Sequence, residues 1–281
     1  MAGRTGVITR FAPSPTGLLH LGHAFSALTA WDAAQAAGGQ FLLRIEDIDR
    51  PRCRDEYEAA IYDDLRWLGL DWPTPVMRQS DRMGAYAVAL DRLAALGVTY
   101  PCGCTRGDIK ATLSAPQEGA PLQGPDGLIY PGTCRGRTMA DRHPGDAIRL
   151  NMARAMEITG PLSFHDTGAT QTLTAPEMID SIGDIVLARK DIGTSYHLSV
   201  VVDDAAQNIT DVIRGKDLAP ATPIHVLLQR LLDLPVPTFH HHRLIRDEAG
   251  KRLAKRDDAR AIRTYRDSGE SPADIRHMVG L

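Results

Sequence analysis

No run of eighteen apolar residues occurs in the 281-residue sequence, so a membrane-spanning helix is not expected. A charged-then-apolar leader is missing as well, which makes the cytoplasm the expected compartment. Cysteine is scarce, at four residues, too few for a disulfide scaffold. In a reducing compartment the spacing of the four matters more than their number. There is no internal repeat and no low-complexity tract. General basicity is also lacking: a formal net charge of −3 argues against a chain that binds nucleic acid over its whole surface.

What is present is ordinary in bulk and uneven in detail. With 43% hydrophobic and 24% charged residues, the chain suits a soluble protein of one large or two modest domains. Arg243 to Arg266 holds nine Lys/Arg against four Asp/Glu, a local +5 that leaves −8 for the remainder. Such a cluster is either a solvated helix face or a phosphate-contacting surface.

The opening reads strand, turn, helix, strand. "GVITRF" has the strand pattern, and "APSPTGLLHLGH" is a turn stiffened by proline and loosened by glycine. The alanine-rich run after it reads as a helix stopped by Gly38 and Gly39, and "QFLLRIEDID" as the second strand. This βαβ order builds a parallel sheet, in which ligands bind beyond the carboxyl ends of strands. Helix N-termini there offer free N–H groups to anions.

Two amphipathic helices follow, one carrying Tyr57, Ile61, Leu65 and Leu68, the other stopped by Gly97. From about 101 to 188 the chain turns rich in proline and glycine, and an insertion with its own small fold is expected. Sheet-like apolar runs return at "DIVLA" and "SYHLSVVVDD"; "TPIHVLLQRLLDL" reads as a helix and the basic tail as mainly helical. The expected division is 1–100 and 189–240 for the two halves of one α/β domain, 101–188 for the insertion, and 241–281 for a helical segment.

Two clusters carry chemistry. His20 and His23, three apart at a strand-to-helix turn, suit a metal pair, core-facing imidazoles or phosphate contacts. The turn is neither GxxxxGK(S/T) nor GxGxxG, so neither a P-loop nor a dinucleotide fingerprint is present. Cys102-Gly-Cys104 and Tyr130-Pro-Gly-Thr-Cys134 put three thiols and a phenol in the insertion. They suit structural zinc, which takes four tetrahedral ligands, or unpaired thiols in a reducing cell. A phenol is an unusual ligand because its ordinary pKa is near 10, and His143 is a possible substitute. Cys53 stands apart.

"RFAPSPTGLLHLGHA", "LLRIEDIDRPR", "RQSDR", "SYHLSVVVDD" and "VIRGKDL", in that order, resemble the glutamyl class of class I aminoacyl-tRNA synthetases. His20-Leu21-Gly22-His23 stands at that superfamily's HIGH signature. The resemblance implies a Rossmann-type parallel sheet with an inserted zinc-containing subdomain and a C-terminal helical segment. It also implies activation of L-glutamate by ATP with Mg²⁺, without RNA, and transfer of the glutamyl group to tRNA. His20, Gly22 and His23 would meet ATP, while Arg10, Ser14, Glu46, Tyr196 and Arg214 would hold glutamate. Lys255, in an Arg252–Arg256 stretch that departs from the KMSKS pattern, would stabilise the transferring phosphates. Cys102, Cys104, Tyr130 and Cys134 match a structural zinc site of the truncated members, one ion per chain. The chain ends at Leu281, before any anticodon-reading helical portion, as do those members, which attach glutamate to queuosine in the anticodon loop of tRNA(Asp). That is the expected activity, in a monomer without membrane contact. Alternatives are a minimal enzyme that charges an acceptor end and a non-catalytic RNA-binding module.

Overall fold

The strands Ile8–Phe11 (β1) and Gln40–Ile45 (β2) pair in parallel across the helix Leu21–Ala36 (α1), with Arg10 opposite Leu42. The computed structural model describes residues 6–113, 123–245 and 260–281. Helix α1 covers this pair with Ala24, Ala27, Leu28 and Ala30, and the alanines let it lie close to the sheet. Helix α2 (Asp55–Trp67) leads to the short strand β3 (Met77–Arg78), which extends β2 in parallel. Helix α3 (Met83–Ala95) ends where Gly97 takes a φ of +69°, as expected of the stop residue.

The 101–188 stretch begins within strand β4 (Thr99–Cys102), followed by helix α4 (Arg106–Leu113) and a hairpin of β5 (Gln123–Gly124) and β6 (Gly127–Leu128). Strand β7 (Ala147–Leu150) then runs antiparallel to β4. Helix α5 (Met152–Thr159), hairpin β8 (Leu162–Asp166) and β9 (Ala169–Leu173), helix α6 (Ala175–Ser181) and strand β10 (Val186–Ala188) complete it. Strand β10 closes the β10-β7-β4 sheet. Helix α7 (Tyr196–Ala206), strand β11 (Asp211–Gly215), helix α8 (Thr222–Leu231) and strand β12 (Thr238–His242) follow.

Strands β11, β12 and β8 are parallel, with β9 antiparallel at the edge. Thr210 N donates to Ile8 O (3.0 Å), which sets the start of β11 beside β1. The pairing of β8 with β12 through Phe239 and Asp166 ties the second half of the 101–188 stretch to strands β11 and β12, a link with no sign in the sequence.

Two expectations are corrected. "SYHLSVVVDD" is not a sheet-like run but helix α7, capped by Ser195 Oγ, which accepts from Leu198 N at 3.4 Å. Its β-branched residues cost the helix only a few tenths of a kcal/mol each. Burying Leu198, Val200 and Val201 in the core shared with α3, α5 and α8 outweighs that. Asp203, also buried, is held by Gln79 Nε2 (2.9 Å), Arg82 Nε (2.6 Å) and Tyr86 Oη (2.7 Å). Strand β12, reaching His242, likewise replaces the expected start of the helical tail at 241.

The tail itself holds helices α9 (Ile262–Asp267) and α10 (Pro272–Val279) among its described residues. Arg276 clasps Asp32 of α1 with two bonds of 2.8 and 2.9 Å, and Arg266 meets Asp63 of α2 at 2.8 Å. Beside that contact, Asp64 is 0% exposed, and neither carboxylate oxygen has a hydrogen-bond partner among the described residues. Burial pushes its pKa up to about 6. An acid raised in the folded state binds more protons there than when unfolded, so stability falls as pH rises from about 4 through 6. The penalty above that window is about 3 kcal/mol. Asp64→Asn is therefore expected to raise the melting temperature by roughly 5 °C at pH 7.5. The gain shrinks toward zero as pH falls to 4; thermal melts across that range check it. Among the described residues no helix is long and apolar enough to cross a membrane.

Candidate active site

A cavity of about 470 Å³ opens at the carboxyl ends of β1, β2 and β11, the place the βαβ order indicated. Arg10, Ser14, His20, Gly22, His23, Glu46, Tyr196 and Arg214 all line it. Lys255 and its Arg252–Arg256 stretch lie outside the described residues. The residues on either flank reach the same place. Ile245 lines the cavity, and Ala261 forms a bridge to His20 while Ile262 N donates to Leu19 O at 2.9 Å.

The histidine wall is built by the start of α1. His20 is the N-cap, its Nδ1 accepting from Gly22 N (3.1 Å), and His23 Nδ1 accepts in return from His20 N (3.2 Å). This is a capping box made with imidazoles. With each Nδ1 an acceptor, a neutral ring carries its proton on Nε2, the donor suited to a phosphate oxygen. A side chain at position 22 would put its Cβ 3.0 Å from His20 Cε1, so glycine preserves the cap.

The floor is a network of buried charges. Arg10 grips Asp204 through Nε (3.0 Å) and Nη2 (3.3 Å). Arg44, wholly buried, gives Nη1 to Asp204 (2.7 Å) and Gln207 (3.0 Å), and Nη2 to Glu46 (3.1 Å). Burial pushes Glu46 up, against the pull of Arg44 and Arg10, so a cation entering beside it would favour the ionised carboxylate. Burial also tends to raise Asp204, but Arg10 and Arg44 outweigh it and hold it below the usual range. Arg44 and Asp204 were not singled out from the sequence. The signal was there, in two acids closing an apolar run and an arginine inside a buried strand, but only contacts between α7, β1 and β2 give it meaning.

Arg214 differs from Arg10. It is 5% exposed, and its partners are neutral: Nε donates to His241 Nε2 (3.1 Å), Nη1 to His225 Nδ1 (3.1 Å) and Nη2 to Thr222 Oγ1 (2.7 Å). Strand register places His241 opposite Arg214, while Thr222 and His225 come from the first turn of α8. Burial pushes the Arg214 pKa down, the mark of a cation that a bound anion would relieve. Two carboxylates facing Arg10 and Arg214, and an ammonium facing Glu46, would satisfy this floor. Tyr196, whose phenol burial pushes up and keeps protonated, adds a donor.

A second cluster lies where β4 meets the loop before β7. The sulfurs of Cys102, Cys104 and Cys134 lie within 4.8 Å of one another. Tyr130 Oη is 3.4 Å from Cys102 Sγ and 3.3 Å from Cys104 Sγ, and accepts from Cys134 N at 2.9 Å. Burial pushes the Cys104 thiol up to about 11. Burial raises Cys134 too, but hydrogen bonds from Tyr130 and Cys104 outweigh it and bring that thiol down to about 7. The three converging thiols are zinc donors in type. The Tyr130 oxygen beside them would make up the tetrahedral number, although burial pushes its phenol up, away from the ionised form a metal takes. His143 does not join the group; its backbone N–H is bound to Asp146 at 2.8 Å.

The parallel sheet, with a histidine-capped helix at its ligand edge, defines an α/β fold of the class I synthetase type. The chain belongs to the class I tRNA synthetases for E and Q, glutamate and glutamine, whose catalytic-domain model matches residues 6–281. Its chemistry is that of an aminoacyl-tRNA synthetase-type ligase. It is similar to a glutamyl-Q tRNA(Asp) synthetase of Rhodobacter capsulatus, 60% identical, over 98% of this chain and 100% of that one. A protein of the same name from Nitratidesulfovibrio vulgaris is 43% identical, over 97% of this chain and 85% of the other. Among solved structures, a glutamate-tRNA synthetase of Elizabethkingia anophelis superposes with a TM-score of 0.78 at 25% identity. The match covers 98% of this chain, which spans 61% of that longer protein.

Proposed function

We propose that this chain activates L-glutamate with ATP and transfers the glutamyl group to queuosine in the anticodon loop of tRNA(Asp). The observation that carries the glutamate half is Arg214, a buried cation whose hydrogen-bond partners among the described residues are all neutral. The acceptor half is supported by similarity, over nearly the whole of this chain, to proteins named for that tRNA.

In this reading Arg10 and Arg214 position the carboxylates, Glu46 the ammonium, and Ser14 and Tyr196 complete the amino-acid site. The α-carboxylate attacks the α-phosphorus of ATP, and pyrophosphate leaves. His20 and His23 stabilise charge on the transferring phosphates through their Nε2–H groups, with Gly22 holding the cap between them. Lys255 adds its charge, and Mg²⁺ arrives with ATP. A hydroxyl of the queuosine cyclopentene ring then takes the glutamyl group as AMP departs. Cys102, Cys104, Tyr130 and Cys134 would hold one structural zinc ion, which would cross-link the insertion and take no part in the chemistry. The enzyme works as a monomer in the cytoplasm, where its tRNA is found.

Glutamate-dependent exchange of labelled pyrophosphate into ATP, measured without RNA, tests the first half. Exchange with glutamate and none with glutamine is expected; no exchange in the absence of RNA contradicts this reading.

A further inference from the structure

The guanidinium of Arg214 has donors only. His225 Nδ1 and His241 Nε2, which receive its N–H groups at 3.1 Å each, are therefore bare nitrogens. Every further bond in the cluster then has one direction. His225 carries its proton on Nε2 and donates to His197 Nδ1 at 3.2 Å. His197 in turn donates from Nε2 to Asp126 at 3.2 Å, in the turn of the β5–β6 hairpin. His241 carries its proton on Nδ1 and donates to Asp166 at 2.8 Å, at the end of β8. One cation thus polarises two imidazole chains, and each chain ends on a carboxylate that does not touch it.

Resting on the glutamate-activating reading above, we infer that His225 and His241 are positioning residues that select glutamate over glutamine. Their bare nitrogens fix the plane of Arg214 while leaving its positive charge for the substrate. Had either position been Asp or Glu, Arg214 would be neutralised as Arg10 is by Asp204. A glutamine amide brings no charge to a buried cation, and its NH₂ would face a group with no acceptor. Burial and the facing Arg214 keep His225 well below the usual histidine range, and burial lowers His241, so both rings stay neutral acceptors. Thr222 Oγ1, 2.7 Å from Nη2, serves as the third neutral partner.

The test compares His225→Leu and His225→Asn with the unaltered chain in pyrophosphate exchange, with His241→Leu and His241→Gln as the parallel pair. Asparagine keeps an acceptor near the Nδ1 position, and glutamine keeps one near Nε2. The leucine variants are expected to raise KM for glutamate by about tenfold to a hundredfold, with KM for ATP unchanged and the glutamate-to-glutamine preference reduced. The amide variants are expected to restore most of that loss. A merely structural role would lower stability or kcat without splitting the two KM values. An unchanged glutamate KM and preference in both leucine variants overturns the inference. If those variants do not fold, ¹⁵N shifts of the unaltered protein decide. A bare Nδ1 on His225 and a bare Nε2 on His241 support it, and the opposite tautomer on either ring overturns it. Absence of glutamate-dependent exchange in the unaltered chain overturns the underlying reading instead, so the two failures are distinct.

Discussion

Replacing Arg214 by alanine is expected to lower kcat/KM for glutamate-dependent pyrophosphate exchange by about 10²- to 10⁴-fold. Two effects add. The substrate carboxylate loses a desolvated partner that matches it in charge and geometry. His225 and His241 also lose the donors that fix their tautomers, so the wall of the pocket is freed to repack. Lysine at this position restores charge but cannot reach two imidazoles, a hydroxyl and a carboxylate together, and should recover only a small part of the activity. KM for ATP should move little, because the histidine wall is held by the α1 cap. A loss below threefold would remove Arg214 from the substrate site.

The second large effect concerns the cysteine cluster. Tyr100, Cys102 and Tyr130 form a buried group of only three residues, too small to hold together by itself the described segments between β4 and β7. A structural zinc ion contributes apparent binding energy on the order of 10 kcal/mol, which for such a site is folding energy. Cys104→Ser, or removal of metal by a strong chelator, is therefore expected to abolish stoichiometric zinc. Amide protection should fall across residues 102–113 and 123–143, while β1, β2 and α1 stay protected. Asp184 will hold part of the region, since it binds Tyr100 Oη (2.5 Å), Arg135 Nε (2.7 Å) and Met152 N (2.9 Å). One zinc per chain in the serine variant, with unchanged exchange, would contradict the metal assignment.

The ligand edge of the sheet was legible because its signals are local. Strand, stiff turn, histidines and alanine-rich helix follow one another within thirty residues, and their order alone locates the anion-facing helix entrance. The resemblance then put Arg10, Glu46, Tyr196 and Arg214, far apart in sequence, on one cavity wall. Long-range partners had no such signal. Asp204 lies 194 residues from Arg10 and 160 from Arg44. His225 lies in a run expected only to be a helix and His241 at the start of the expected helical segment, and only the α8 turn and the β12 register bring them to Arg214. The misreading of 195–204 as strand has a separate cause. Three consecutive valines look like a buried strand, and periodicity cannot separate that from a helix buried on most sides.

The position of the transferred amino acid tests the central claim most directly. The purified chain would be incubated with ATP, labelled glutamate and tRNA(Asp) with or without queuosine, and the RNA then cut at its anticodon loop and at its 3′ end. The expected result is label in the anticodon fragment only, and none when queuosine is missing. Label on the terminal ribose, or equal labelling of both RNAs, would contradict it.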